Sequence, residues 1–492
     1  MNTNPYKVST KHFALCTDSY KLNHPNQKPD GLIYEEAYGA PRAGLEDTRG
    51  EDNRIVFFGM RFVAEVFQDI LNEGSLENAK VYNFLKQHLA GYDPEELKGF
   101  LSTFEGLEIH CLREGSVVMP NTPVFKIGVR GKYAKFSTFL EPLLTHVCHS
   151  MKVATRSRQA KEILKKFYDI TVDKENYPSL DWKLHDFGYR GVSGNEQAVR
   201  GGVAHLLSFN GTDNILAGYV AYNSGLKEPV PSSVEATEHA VVLAHKTELD
   251  AVLKALESGA PVSSLVADTY DYNNFLKTIV PEIAEQAQKQ GTHIVVRPDS
   301  GDPVVCVIDA LVELEKHFPT TVNKKGYRVI QGASVIQGDG IDIKTMERIL
   351  YMVMLRGFSV ENVTFGMGNG LLYKGGRDSI SFATKACYQE FEDGRTQESM
   401  KIPKTDMSKS SIPGQTTVKG DTNKVHLNCG TINNFVPFFK NGKVVFKMES
   451  LDKVKKRMEK QWELQESNKT KAQHWSTNLE KKINRKIKEN KC

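Results

Sequence analysis

The stretch Ile294-Val295-Val296-Arg297-Pro298-Asp299-Ser300-Gly301-Asp302 sets three β-branched residues before a polar, glycine-containing loop, and a helical pattern, Val304 to His317, follows it. The same grammar recurs around it. Leu265-Val266-Ala267 runs into Asp268-Thr269-Tyr270-Asp271, Val335-Ile336-Gln337 into Gly338-Asp339-Gly340-Ile341-Asp342, and Val363-Thr364-Phe365 into Gly366-Met367-Gly368-Asn369-Gly370. A second helical pattern, Asn273 to Gln290, separates the first of these from the quoted stretch. Strand, polar loop and helix in alternation predict parallel pairing, because parallel neighbours can be joined only by a crossover. The class is α/β. In barrels of that kind the polar loops gather at the C-terminal strand ends, with glycine-rich loops after the last strands suited to phosphate. Residues 180–385 therefore read as a barrel-like catalytic core.

Upstream, Lys183 to Asp213 concentrates chemistry beyond what packing needs. Arg190 lies between Tyr189 and Gly191 just after Phe187, so a flat cation and a flat ring can face one cavity. The apolar run Val203 to Phe209 reads as a buried strand that delivers Asp213 to a loop through Asn210-Gly211-Thr212. Arg190, Arg297 and Arg377 all sit on or beside glycine-containing loops. Guanidinium forks grip phosphate bidentately, and glycines let backbone N–H groups approach it, so the set predicts a ligand with more than one phosphate. Taken singly, each arginine reads more simply as a surface ion pair. Asp271, Asp299 and Asp339 bring carboxylates to the same rim, for sugar hydroxyls, for Mg²⁺ through water, for a developing cation, or merely for a turn. His239 follows Glu238 at the head of Thr-Glu-His-Ala-Val-Val-Leu-Ala-His-Lys, which lacks the metalloprotease H-E-x-x-H spacing. The common nucleotide-binding phosphate loop is absent as well. Gly366 to Gly370 does not complete a dinucleotide fingerprint, and no G-x-S-x-G elbow occurs.

The flanks read differently. With 492 residues the chain suits two or three domains. Residues 1–179 form a mixed α/β N-terminal region, with short strands between Glu108 and Val129, one helix from Phe136 to Val153 and another from Ala154 to Tyr168. Residues 386–450 return to strands around a polar segment, 401–424, expected to be a mobile loop, and join the N-terminal region as a second domain. Residues 451–492 hold 13 Lys/Arg against 6 Asp/Glu, so a chain of net charge +4 keeps its surplus in a basic tail, expected to be helical and partly disordered. A nucleic-acid protein would carry that charge on its folded domain, so no nucleic-acid partner is expected. No apolar run approaches the ~20 residues of a membrane span, and no secretion signal opens the chain. Cytoplasmic location, no membrane partner, and seven dispersed, reduced cysteines without disulfide or structural zinc are the expectations.

His-Asp-Phe-Gly-Tyr-Arg-Gly-Val-Ser at 185–193, Phe-Asn-Gly-Thr-Asp at 209–213, Glu-His at 238–239, Arg-Pro-Asp-Ser-Gly at 297–301, Gln-Gly-Asp-Gly at 337–340 and Phe-Gly-Met-Gly-Asn-Gly at 365–370 closely resemble the nicotinamide phosphoribosyltransferase family, as does Thr-Asp-Ser-Tyr-Lys at 17–21. The resemblance runs in consistent order from about residue 13 to 450. It implies a type II phosphoribosyltransferase-like irregular α/β barrel with a second mixed α/β domain built from N- and C-terminal segments. It implies transfer of the phosphoribosyl group of 5-phosphoribosyl 1-pyrophosphate to nicotinamide, giving nicotinamide mononucleotide and pyrophosphate in NAD salvage. It also implies a Mg²⁺-dependent homodimer whose active sites are shared, with ATP as co-substrate hydrolysed through a phosphorylated histidine, by motif position His239.

By the same resemblance, His239, Asp299 and Arg297 are catalytic, and Phe187, Asp213 and, from the second subunit, Tyr20 hold nicotinamide. Arg190, His239, Arg297, Arg42, Lys385, Lys401 and Lys409 meet phosphates, while Asp271, Asp299, Gly338, Asp339, Gly368, Asn369 and Arg377 meet ribose or mononucleotide. No metal ligand is assigned. The chain departs from the family at Ser334, where animal members carry arginine, at Ala267 for a serine, at Asn369 for a glycine and at Tyr373 for a glutamine. Two other readings stay open: a nicotinate phosphoribosyltransferase, the sister enzyme, and a non-enzymatic protein that binds through its basic tail.

Overall fold

The computed structural model describes residues 12–73, 79–427, 433–467 and 474–489. The chain divides into two compact units, one of residues 156–374 and one of residues 1–155 with 375–492. Among the described residues no helix is long and apolar enough to cross a membrane.

The 156–374 unit is built on a seven-stranded sheet in the order Gly211–Thr212, Leu184–Asp186, Val363–Met367, Ala333–Gln337, His293–Arg297, Val262–Val266, Glu235–Ala236. Every pairing in it is parallel. One edge strand makes a further parallel bridge, Gly211 to Ser232, to the segment just before the other edge strand, which curls the sheet towards an irregular barrel. Helices Val280–Gln290, Pro303–His317 and Ile343–Leu355 return the chain between strands. The crossovers start where the sequence says they should. Asp302 accepts the Val304 and Val305 N–H groups, and Asp342 accepts that of Thr345, so each acid caps a helix just past its strand.

Val203 to Phe209 is not a strand. Helix Asn195–His205 takes the first half of that run and turns take the rest, leaving Gly211–Thr212 as the whole edge strand. Glycines at 201 and 202 and polar Asn195 to Gln197 belong to one amphipathic turn pattern, and the run is too short for its periodicity to separate helix from strand. The unit also starts earlier than the composition change at 180 suggests. Arg156 donates to the Leu371 and Lys374 carbonyls, Ser157 pairs with His205, and Lys161 reaches the Ser208 carbonyl. These residues lie on one 25-residue helix, Val147–Thr171, where the sequence suggested two.

The other unit carries a seven-stranded antiparallel sheet in which Leu32–Ala40 is paired with Ala383–Phe391 on one side and Phe125–Arg130 on the other. One face lies on a core rich in phenylalanine, including Phe57, Phe67, Phe100, Phe125 and Phe438. Residues 401–424 are not simply a loop, because Thr416–Lys419 and Lys424–Leu427 form a hairpin with Val418 and Val425 buried. Cys111, Cys148, Cys306 and Cys387 are buried and Cys16 is half-buried, whereas Cys429 and Cys492 lie outside the described residues.

The basic tail is likewise part of this unit. Helix Leu451–Leu464 buries Leu451, Val454, Met458 and Trp462, a helical stripe that the high lysine content hides in a simple charge count. The Arg54 guanidinium stacks 4.0 Å from the centre of the Trp462 ring and donates to the Trp462 carbonyl at 3.0 Å. Helix Thr477–Glu489 buries Leu479 and Ile483 with Tyr38, Ile412 and Val425. Trp462→Ala is expected to cost this unit about 3–5 kcal/mol, and truncation after residue 450 more. Urea unfolding followed by circular dichroism checks it; an unchanged midpoint in both variants would make the tail a mere appendage.

Candidate active site

Strand Leu184–Asp186 ends between Gly211–Thr212 and Val363–Met367, and Phe187 is the first residue past that end. Its N–H donates to the Met367 carbonyl at 3.1 Å. The ring then lies on bare backbone. A Cβ at Gly366 would stand 2.0 Å from it and one at Gly338 3.2 Å, so both glycine loops form its seat. Past the ring, a Cβ at Gly191 would stand 1.8 Å from Oδ1 of Asn369, which fixes the Arg190 loop against the Gly368-Asn369 turn.

A pocket of about 380 Å³ opens here, lined by Phe187, Arg190, Asp213, Ser233, Arg297 and Ile336 among others. Asp213 is exposed, and one of its carboxylate oxygens accepts the Ser233 hydroxyl. An aromatic wall, a carboxylate and two guanidinium groups thus border one cavity. Burial holds His185 under its usual range and pushes the fully enclosed His205 down to about 3.

Beside the pocket is a cluster of acids around a histidine. Arg297 donates to the Thr237 carbonyl at 2.9 Å and pairs with Asp299 at 3.2 Å. Asp299 in turn lies 3.4 Å from Nε2 of His239, the first residue of helix His239–Leu243. The other ring nitrogen, Nδ1, is 3.0 Å from the Thr269 hydroxyl. Asp268, only 6 % exposed, accepts the Asp299 N–H and the Ser300 hydroxyl through Oδ2. Its Oδ1 stands 3.9 Å from His239 Nε2 and has no hydrogen-bond partner among the described residues. Burial, with a smaller push from the Asp268 charge, raises the Glu248 carboxyl nearby.

Not every candidate joins this group. Asp271 accepts the Asn274 N–H at 3.0 Å and so caps the turn Tyr272–Asn274, the turn-forming alternative weighed for it. Asp339 is exposed after the strand Ala333–Gln337, where its carbonyl accepts the Gln337 amide at 3.0 Å. The remaining candidates belong to the other unit. There the Lys385 ammonium is held below its usual range, first by burial and then by the Arg42, Lys401 and Arg377 cations. Arg377 also acts on Tyr20, whose ring is 60 % exposed. Tyr20, Arg42, Arg377, Lys385 and Lys401 therefore form one cationic neighbourhood that includes an exposed aromatic ring. Lys409 pairs with Asp406 at 3.2 Å instead.

A family model described as "Nicotinate phosphoribosyltransferase (NAPRTase) family" matches residues 182–450, and one described as "Nicotinamide phosphoribosyltransferase, N-terminal domain" matches residues 12–107. A nicotinamide phosphoribosyltransferase of Xanthomonas campestris pv. campestris is 34% identical over 422 residues, covering 83% of this chain and 88% of its own. The chain belongs to the nicotinamide phosphoribosyltransferase family. Its fold agrees with solved type II phosphoribosyltransferases. The nicotinate-nucleotide pyrophosphorylase of Pyrococcus furiosus superposes with a TM-score of 0.60 at 15% identity, covering 93% of this chain and 97% of that one. Human nicotinic acid phosphoribosyltransferase gives 0.59 at 16%, covering 95% and 99%.

As a phosphoribosyltransferase of this family, the chain places the arginines of two of its motifs at one cavity, Arg190 from residues 185–193 and Arg297 from residues 297–301. Two acids, Asp268 and Asp186, gain placements that spacing did not reveal. Nothing in Asp268-Thr269-Tyr270-Asp271 tells which carboxylate faces His239 and which caps a turn, because a one-turn difference in loop path decides it. Asp186, flanked by His185 and Phe187, is fully buried. Gly366→Ala is expected to push the Phe187 ring off its seat at a cost of about 1–3 kcal/mol, and so raise KM for the base roughly 5- to 150-fold. Steady-state kinetics checks it, and a wild-type KM would show that the ring does not border the base.

Proposed function

We propose that the protein transfers the phosphoribosyl group of 5-phosphoribosyl 1-pyrophosphate to nicotinamide in NAD salvage. The C1–O bond to pyrophosphate breaks, with the electron pair leaving on oxygen, and the pyridine nitrogen forms the new C1–N bond. The observation that carries the choice of base is Asp213. Its carboxylate is steadied by Ser233 in the pocket walled by Phe187. It can accept a hydrogen bond from the carboxamide NH₂ and repels the carboxylate of nicotinate. The Phe187 ring supplies a stacking face. Arg190 and Arg297 meet the charge that gathers on departing pyrophosphate, and Asp299 faces the ribose as positive charge grows at C1. The backbone at Gly338, Asp339, Gly368 and Asn369 receives the mononucleotide.

The acid cluster suits Mg²⁺. Among the described residues no group of three or more His, Cys, Asp or Glu side chains could hold a metal ion by itself. The unpartnered Asp268 oxygen and the Asp299 carboxylate do offer the hard oxygens that Mg²⁺ takes when phosphates and water complete its shell. Bound there, Mg²⁺ would neutralise phosphate charge. ATP coupling through His239 has a matching geometry. A tautomer with Nδ1–H donated to the Thr269 hydroxyl would leave the Nε2 lone pair for the γ-phosphorus of ATP, ADP leaving as the P–O bond breaks. We also propose a homodimer with shared sites. Ile215, Tyr219 and Tyr222 leave an apolar, exposed rim beside Asp213, and the cationic neighbourhood around Tyr20 would come from the second copy.

Two outcomes test this reading. Asp213→Ser is expected to narrow the preference for nicotinamide over nicotinate by about 10- to 100-fold, since it removes the charge while keeping a polar group. Paired kinetics on both bases reads it, and an unchanged ratio excludes the role. His239→Ala is expected to abolish ATP stimulation and acid-labile phosphoprotein while basal transfer persists; a variant still fully stimulated by ATP would remove His239 from the coupling.

A further inference from the structure

Asp186 has no surface exposure, yet it touches both walls of the base pocket. Its Oδ1 accepts the Gly188 N–H at 2.8 Å, in the loop that carries Phe187 and Arg190. Its Oδ2 accepts the Asn214 side-chain NH₂ at 3.2 Å, and its carbonyl accepts the Asp213 N–H at 3.0 Å. Asn214 is itself fully engaged. Its amide oxygen caps helix Ile215–Asn223 at the Ala217 N–H, and its NH₂ also donates to the Ala198 carbonyl. The surroundings are close-packed, because a Cβ on Gly202 would stand 2.5 Å from the Ala217 methyl and one on Gly188 2.5 Å from the Leu372 side chain.

We propose that Asp186 is a positioning residue for the base, a single carboxylate that sets the spacing between the Phe187 wall and the Asp213 wall. The inference rests on the reading of this pocket as the nicotinamide site. Both oxygens face donors, so only the ionised form satisfies both. A proton on either oxygen would meet an N–H and open one side of the clamp. Burial, reinforced by the nearby Asp213 charge, raises the Asp186 carboxyl to about 6 despite its two hydrogen bonds. Base affinity is therefore complete above that pH and falls as pH drops through it. The contribution of this group to stability moves the other way. With a folded-state pKa above its ordinary value, Asp186 favours the folded state increasingly as pH falls from about 6 towards the normal carboxylate range, so its own protonation loosens the base site without unfolding the protein.

Asp186→Asn keeps the shape and the Gly188 bond but turns an NH₂ against the Asn214 NH₂. It is expected to raise KM for nicotinamide about tenfold, leave KM for 5-phosphoribosyl 1-pyrophosphate within about twofold, and erase the acid limb near pH 6. In the double variant Asp186→Asn, Asn214→Asp the introduced amide can donate to the introduced carboxylate, and part of the loss should return, the Ala198 carbonyl having lost its donor. The proposal is overturned if Asp186→Asn retains the wild-type KM and acid limb, or if both substrates lose affinity equally, as a general fold defect would give. Should the single variant not fold, a wild-type KM for nicotinamide that is flat between about pH 5 and 7.5 overturns it just as well. Wild-type enzyme that makes no mononucleotide from nicotinamide refutes the proposed function instead.

Discussion

A parallel strand cannot turn directly onto its neighbour, and the chemistry of the 156–374 unit depends on that constraint. Each crossover helix starts the next strand from the same end, so every strand of the sheet finishes on one side. Phe187, Asp213, Arg297 and Ile336 are far apart in sequence and still border one cavity. The bridge between Gly211 and Ser232 adds the last requirement, because it brings the edge strand with Asp213 round to the segment that carries Ser233 and His239.

Convergence of this kind brings charges close together, and the site is arranged to tolerate it. Asp268 and Asp299 would repel each other beside His239, but the Arg297 guanidinium and the backbone and hydroxyl donors of the Asp299-Ser300 turn absorb most of that charge. One buried oxygen of Asp268 is left over. A buried carboxylate oxygen without a protein partner is open to water or an ion. Asp186 shows the opposite arrangement, a buried carboxylate with both oxygens matched to donors, consistent with a group that holds geometry rather than one that meets substrate.

The antiparallel unit follows a different economy. Its core is aromatic, with Phe67 edge-on to Phe13, Phe438 and Phe439, and the chain's last helices seal its sheet and strand ends. Lysines on the exposed faces of those helices keep the tail soluble while leucine, isoleucine and tryptophan on the inner faces hold it down. Net charge alone hid that packing because it averages over both faces.

From the sequence by itself came the alternation of strand, polar loop and helix, hence the parallel class, and the positions of the loops where chemistry belongs. Those follow from local pattern: β-branched runs, glycine turns and helix caps are decided within a few residues of themselves. The seat that Gly366 and Gly338 make for Phe187, the choice of Asp268 over Asp271 beside His239, and the burial of Asp186 between two loops were decided only by tertiary structure. Each depends on which atoms from distant segments arrive within a few ångströms, and steric exclusion, desolvation and hydrogen-bond matching act at that range whatever the separation along the chain.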